Sequence, residues 1–376
     1  MSAAGPRITR LTLTSFRNHA RTDLRFDGQL VAFTGPNGAG KTNILEAISL
    51  LSPGRGLRRA KLADMSSAGS AGGFAVSAEL VPMDYDEGDD PITIGTGITA
   101  PDASGREVRI DKVPAKSSDA LLEHLICLWL TPAMDGLFTG GTSDRRRFYD
   151  RMVMALHPTH GRTATRFETA MRSRNKLLDE GVTDPVWFEA VELEMAQSGA
   201  AMQSARLAVL TLLREAVDEA RDAVSAFPHA VLDLAGFDIA DEQAYRTRLA
   251  EGRTRDRAAG RTLEGPHRVD LLVRHGPKDV EAKLASTGEQ KALLIGLILA
   301  QARLVKRETG RAAILLLDEI AAHLDESRRA ALFALCAELG GQTFMTGTDR
   351  ALFESLPNGA DQFEVHDGSA TPWSFT

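Results

Sequence analysis

Two short stretches near opposite ends of the chain limit what it can fold into. GPNGAGKT occupies residues 35–42 and ILLLDE residues 314–319. The first meets the pattern G-x-x-x-x-G-K-[ST] through Gly35, Gly40, Lys41 and Thr42. It lies between an apolar run that predicts a strand (30–33) and a stretch with Ile44, Leu45, Ile48 and Leu51 on one face, which predicts a helix (43–51). Glycines there let backbone N–H groups turn inward on phosphates, and a helix N-terminus adds a favourable dipole. The second stretch delivers two carboxylates, Asp318 and Glu319, to the carboxyl edge of a buried parallel strand, where ligands bind. A chain with both must bring its two ends together in one α/β core.

The residue types assign the chemistry. Lys41 is expected to reach the β- and γ-phosphates of ATP. Thr42 and Asp318 are expected to hold Mg²⁺, and Glu319 to orient or deprotonate the attacking water. Pro36, Asn37, Gly38, Ala39 and Asn43 complete the expected nucleotide-binding set, with Arg17 and Asn18 from the preceding turn. A third stretch, STGEQK at 286–291, precedes an apolar helix. Ser286 fits an N-cap and Glu289 the N3 position of a capping box, and a capped helix end is also an anion site.

Together the three stretches resemble an ABC-type P-loop ATPase head, a mixed β-sheet lobe plus a parallel α/β core. In such heads the terminus carrying Ser286, Gly288, Glu289 and Gln290 faces the γ-phosphate held by a second subunit. Ala322, His323, Leu324 and Asp325 match the short loop that crosses the dimer interface. The resemblance implies a homodimer that forms on ATP binding.

Between the two halves of the site the pattern changes. Residues 143 to 227 read as helical, with a near-heptad seam of Leu210, Leu213, Val217, Ala220, Val224 and Phe227. An earlier face of Phe167, Met171 and Leu178 is expected to pack antiparallel against that seam. The expected organisation is a first head segment (1–135), a helical insertion (136–255) and a second head segment (256–376). A long coiled coil is excluded, because an insertion of about a hundred residues at roughly 1.5 Å rise each is too short.

Composition narrows the setting. A net charge of −7 means that any nucleic-acid surface must be a local patch. Asp84, Asp86, Glu87, Asp89 and Asp90 read as a solvated acidic loop, and Arg253, Arg255, Arg257 and Arg261 as a basic segment. Cys127 and Cys336, both in apolar surroundings, read as buried thiols of a reducing compartment. The amino terminus lacks the order of a signal peptide. The longest apolar run, 292–300, falls short of the roughly 20 residues that span a bilayer. A cytoplasmic protein with no membrane partner is expected.

Further landmarks are FRNH (16–19), GRGLRRAKLADM (54–65), SDRRRFYDRMV (143–153), GPHRVD (265–270) and LLLDEIAAHLD (315–325). With the nucleotide motifs they resemble the RecF family of bacterial DNA replication and repair proteins over essentially the whole chain. SMC-type heads share the nucleotide motifs but not SDRRRF or GPHR. The resemblance implies an ATP-dependent dimeric clamp on single-stranded, gapped or junction DNA. It also implies RecO- and RecR-like partners, help in recombinase loading and a part in the SOS response. Arg55, Arg58, Arg59 and Lys61 are the expected DNA contacts, ahead of Arg145, Arg146 and Arg147, which fan around a helix and could clasp the insertion to the head.

Two departures bear on turnover. The strand after the acidic one reads TFMTGTD (343–349), without the switch histidine of many ABC ATPases, and LWLTPAMDG (128–136) has no lobe-junction glutamine. A slow, DNA-stimulated ATPase is expected. Two rival readings remain open at this stage: a transporter-type ABC subunit, and a nucleotide-binding scaffold that does not hydrolyse.

Overall fold

The computed structural model describes residues 5–67, 70, 72–82, 90–100, 103, 105–222, 226–320 and 324–373. The chain forms two compact units. One is built from the segment up to Asp135 and the segment from Thr287 onward, the other from Gly136–Ala223 and Pro228–Ser286. The acidic block at 84–89, Val224 and the pair Ala322–His323 lie outside the described residues.

Along the chain come strands β1 (Pro6–Phe16), β2 (His19–Arg25) and β3 (Leu30–Thr34), then helix α1 (Lys41–Ser49). Strands β4 (Phe74–Pro82), β5 (Ile92–Ile98), β6 (Glu107–Ile110), β7 (Val113–Pro114) and β8 (Cys127–Leu130) follow. Next are helices α2 (Thr142–Leu156), α3 (His160–Asp179) and α4 (Val186–Asp222), strand β9 (Ala230–Ala235), helix α5 (Glu242–Ala258) and strands β10 (Asp270–His275) and β11 (Val280–Glu281). The last part holds α6 (Thr287–Thr309), β12 (Ile314–Leu317), α7 (Glu326–Leu339), β13 (Thr343–Gly347), β14 (Asp361–His366) and β15 (Ser369–Pro372).

The first unit contains two sheets. An antiparallel sheet runs in the order β2-β1-β4-β5-β6-β7, and its strands alternate buried and less buried positions along β1 and β5. The other runs β15-β14-β3-β13-β12-β8, parallel from β14 to β8. Its strands β3, β8, β12 and β13 are buried at every position. That is why they read as continuous apolar runs rather than alternating ones. Phe26 packs edge-on against Phe33, Phe344 and Phe363 at 5.2–6.3 Å between ring centres, which binds β3, β13 and β14 into one core. The sheet therefore has a rigid carboxyl edge, where the ends of β3, β12 and β13 lie side by side.

In the second unit, α3 and α4 pack along each other, and Phe167 clusters with Met195, Ala196 and Met202 rather than with the expected seam, whose Leu210 and Leu213 are buried outside that cluster. Strands β9, β10 and β11 form a small antiparallel sheet of their own. The unit ends at Ser286, thirty-one residues beyond the expected boundary at 255. The cause is pairing: β10 registers with β9 from Asp270↔Ala235 to His275↔Ala230. A buried ion cluster reinforces it. Arg174 is fully buried and donates to Glu192, Asp256, Thr262 and the Leu249 carbonyl. Three arginines of the basic segment lie on helix α5 and have partners: Arg253 pairs with Glu192, Arg255 with Glu264, and Arg257 donates to the Val182 carbonyl, while Arg261 follows the helix and is exposed. The Arg145 triplet is likewise used within this unit. Arg145 forms a bidentate pair with Asp270, Arg146 donates to the Val269 carbonyl, and Arg147 pairs with Asp144. The clasp it makes joins α2 to β10 rather than insertion to head. Among the described residues no helix is long and apolar enough to cross a membrane.

Candidate functional site

The phosphate loop leaves β3 and enters α1 through two glycines that no other residue could replace. Gly35 has φ 149, and a Cβ there would sit 2.2 Å from the Val365 carbonyl oxygen. Gly40 has φ 116, and its Cβ would meet Asn18 and His19 at 2.8 Å. The FRNH turn thus presses directly on the loop. Asn18 Nδ2 donates to the Ala39 carbonyl at 3.0 Å, and His19 Nε2 lies 3.2 Å from the Gly40 carbonyl. Burial keeps the His19 imidazole below its ordinary pKa, so it serves as a neutral brace.

Lys41 is buried, and its ammonium donates to the carbonyls of Gly35 and Pro36 at 2.7 and 2.8 Å. Burial lowers its pKa, while the carboxylates of Glu319 and Asp318 pull it back up. The two ends of the chain meet one residue further on. Thr42 Oγ1 donates to Asp318 Oδ1 at 2.8 Å, across 276 positions of sequence. Hydroxyl and carboxylate oxygens, partly buried beside a lysine, are the hard donors that Mg²⁺ takes when substrate phosphates supply its other ligands. The residues therefore fit the ion. Glu319 follows in the left-handed region (φ 53), an uncommon backbone for a non-glycine residue. Its N–H donates to Thr346 Oγ1 at 2.9 Å, and that hydroxyl donates to Asp318 Oδ1 at 2.8 Å.

A second network extends outward from the loop. Glu46, fully buried on α1, accepts two bonds of 2.8 Å from Arg17 Nε and Nη2 and one of 3.0 Å from Arg58. Arg17 is thereby held against α1. Arg58 also donates to Asn43 Oδ1 at 2.5 Å, and Asn43 Nδ2 donates to Asn18 Oδ1 at 2.7 Å. Arg55, Arg58, Arg59 and Lys61 are all exposed, as a DNA contact requires.

The remaining expected residues separate by exposure. Ser286 stands just before α6, and Ser286 and Gly288 are exposed while Glu289 is half-buried. Gln290 is buried, and Lys291 pairs with Asp135 at 3.2 Å. Asp325 caps α7, its carboxylate accepting the Arg328 N–H at 2.8 Å. Sequence reasoning did not single out Glu46 or a role for Thr346. Glu46 lies three residues past Asn43 in the loop's own helix, and Thr346 stands out in the sequence only as the place where a histidine is missing.

A P-loop, an acidic strand end and a helix terminus of the STGEQK type, on this pair of sheets, define an ABC-type ATPase head. The family model described as the RecF/RecN/SMC N terminal domain matches residues 7–369. The chain belongs to this family and, within it, to the RecF proteins. It is 57% identical to the DNA replication and repair protein RecF of Rhizobium johnstonii over 372 residues, covering 96% of this chain and 97% of that one. It is 54% identical to the RecF of Agrobacterium fabrum over 376 residues, with 97% and 98% covered. The fold matches a solved structure described as the recombination mediator protein RecF-ATPrS in the RecFOR pathway, at TM-score 0.85 and 22% identity, covering 99% of this chain and 100% of that one. A Smc head domain from Pyrococcus furiosus matches at TM-score 0.54 and 17% identity, with 99% and 96% covered. Full-length matches to RecF relatives disfavour the transporter reading.

Proposed function

We propose that this protein is an ATP-gated clamp on DNA in replication and recombinational repair. The reading rests chiefly on the Thr42–Asp318 bond, which joins the phosphate loop to the acidic strand end at 2.8 Å. Loop N–H groups and Lys41 hold the triphosphate, and Thr42 and Asp318 would hold Mg²⁺, which would supply positive charge against the phosphates. Glu319 takes a proton from water as its oxygen attacks the γ-phosphorus and ADP leaves. Ser286 and Gly288, exposed at the start of α6, reach the γ-phosphate bound by a second copy, with Asp325 in the loop between the two sites. ATP then holds two heads together, DNA binds across the pair through Arg55, Arg58, Arg59 and Lys61, and hydrolysis releases it. Turnover is slow and stimulated by DNA, in keeping with the missing switch histidine.

The RecFOR pathway named for the structural neighbour supports recombination mediators of the RecO and RecR type as partners. Gapped or junction DNA as substrate, a role in the SOS response and a cytoplasmic setting complete the proposal. Light scattering tests it. The protein should be a monomer without nucleotide and a dimer with ATP, and Ser286→Arg should keep ATP binding but block the dimer. A dimer indifferent to ATP or to Ser286→Arg would rule out the composite site.

A further inference from the structure

We propose that Thr346 is a positioning residue for hydrolysis, holding Asp318 and the backbone of Glu319 in register through one hydroxyl. The inference rests on the reading of Glu319 as the group that activates water. Thr346 Oγ1 is fully buried, so water cannot substitute for either of its bonds. A hydroxyl has one proton to give, and here it goes to Asp318 Oδ1 at 2.8 Å. Its lone pair accepts the Glu319 N–H at 2.9 Å. The same Asp318 oxygen accepts from Thr42 at 2.8 Å. A single line of bonds therefore runs from the first turn of α1, through Asp318 and Thr346, to the peptide of Glu319.

The strand geometry explains why position 346 can do this. Met345 registers with Leu317 on β12, and Thr346 with Phe33 on β3, so Thr346 stands at the carboxyl edge between the two strands that deliver the site. Glu319 lies two residues past that register in a left-handed conformation (φ 53), where no strand bond holds it. The Thr346 hydroxyl closes that gap. Without it the Glu319 N–H is left buried and unbonded, and the direction of its carboxylate is no longer set.

The test compares Thr346→Val, which keeps shape and β-branching but removes both bonds, with Thr346→Ser, which keeps the hydroxyl. T346V should fold and bind ATP, with KM unchanged and kcat reduced roughly 10- to 100-fold, the scale of a misplaced reacting group. T346S should restore most of the rate. In a Glu319→Gln background T346V should add no further loss, since both act on the same step. A T346V enzyme at the wild-type rate, a T346S enzyme as slow as T346V, or an additive loss on Glu319→Gln would each overturn the positioning role. If T346V fails to fold, Thr346→Ala against T346S makes the same comparison, the two differing by the hydroxyl alone. Glu319→Gln at the wild-type rate would instead overturn the assignment of the base.

Discussion

Arg58 donates to Asn43 Oδ1 at 2.5 Å, which ties an exposed basic loop to the first turn of the phosphate-loop helix. Asn43 bonds to Asn18, and Asn18 to the Ala39 carbonyl, so the loop at 54–61 and the phosphate loop share one run of hydrogen bonds. Arg58 can leave at little cost, because Arg17 alone already satisfies both oxygens of Glu46. A DNA phosphate that takes Arg58 would therefore be felt at Asn43, two residues from Lys41.

Arg58→Ala with Arg59→Ala should weaken DNA binding and flatten its salt dependence, by about 0.9 in log–log slope for each B-DNA phosphate that the pair no longer neutralises. ATP binding should persist, since Lys41, Thr42 and Asp318 are untouched. An unchanged slope would move the DNA surface elsewhere.

Glu319→Gln should trap the ATP-bound dimer. On the proposed reading, in which Glu319 takes the proton, its loss should slow hydrolysis by on the order of 10² or more, while the carboxamide leaves Lys41 and Asp318 in place. Single-turnover phosphate release and dimer lifetime would be measured together. Normal turnover would shift attention to Asp325, the capping carboxylate of α7.

The second unit should lose stability in acid through His267. Burial pushes this imidazole down to about 4 from 6.5, while its bond to the Thr262 carbonyl partly opposes the shift. Between those values the unfolded chain binds more protons than the folded one, so stability rises with pH. The contribution is complete above about pH 6.5 and is lost as pH falls toward 4. His267→Gln keeps a donor for Thr262 but cannot titrate. Urea midpoints from pH 7 to 4.5 should fall less steeply for it than for the wild type.

Arg174→Met should destabilise the same unit by about 3–5 kcal/mol, the cost of breaking a buried ion pair from one side. Asp256 loses its bond of 2.7 Å, whereas Glu192 keeps Arg253. Adding Asp256→Leu should recover part of the loss, because the stranded charge is gone. Chemical denaturation followed by circular dichroism would show both steps, and an unaltered midpoint in Arg174→Met would contradict the cluster's role.

What the sequence by itself determined is the chemistry with local spacing. The phosphate loop needs glycines, a lysine and a threonine within eight residues. The acidic strand needs an apolar run ending in two carboxylates, and the helix seam repeats every three to four positions. Each is written in neighbours along the chain, and together with FRNH, SDRRRF and GPHR they were enough to reach the family. Only the tertiary structure decided which distant groups neutralise or hold one another. Arg253 and Arg255 read as part of a basic segment until α5 brings them to Glu192 and Glu264. Residues 256–286 read as head until β10 pairs with β9. The edge strands β14 and β15 do not stand out within the final α/β stretch, because β14 shows its place only by registering with β3. Thr346 reads as an absent histidine, and its hydroxyl acquires meaning only at 2.8 Å from Asp318. Hydrogen bonds and ion pairs act over a few ångströms of space, whatever the separation in sequence, so composition shows which groups exist and the fold alone shows which of them meet.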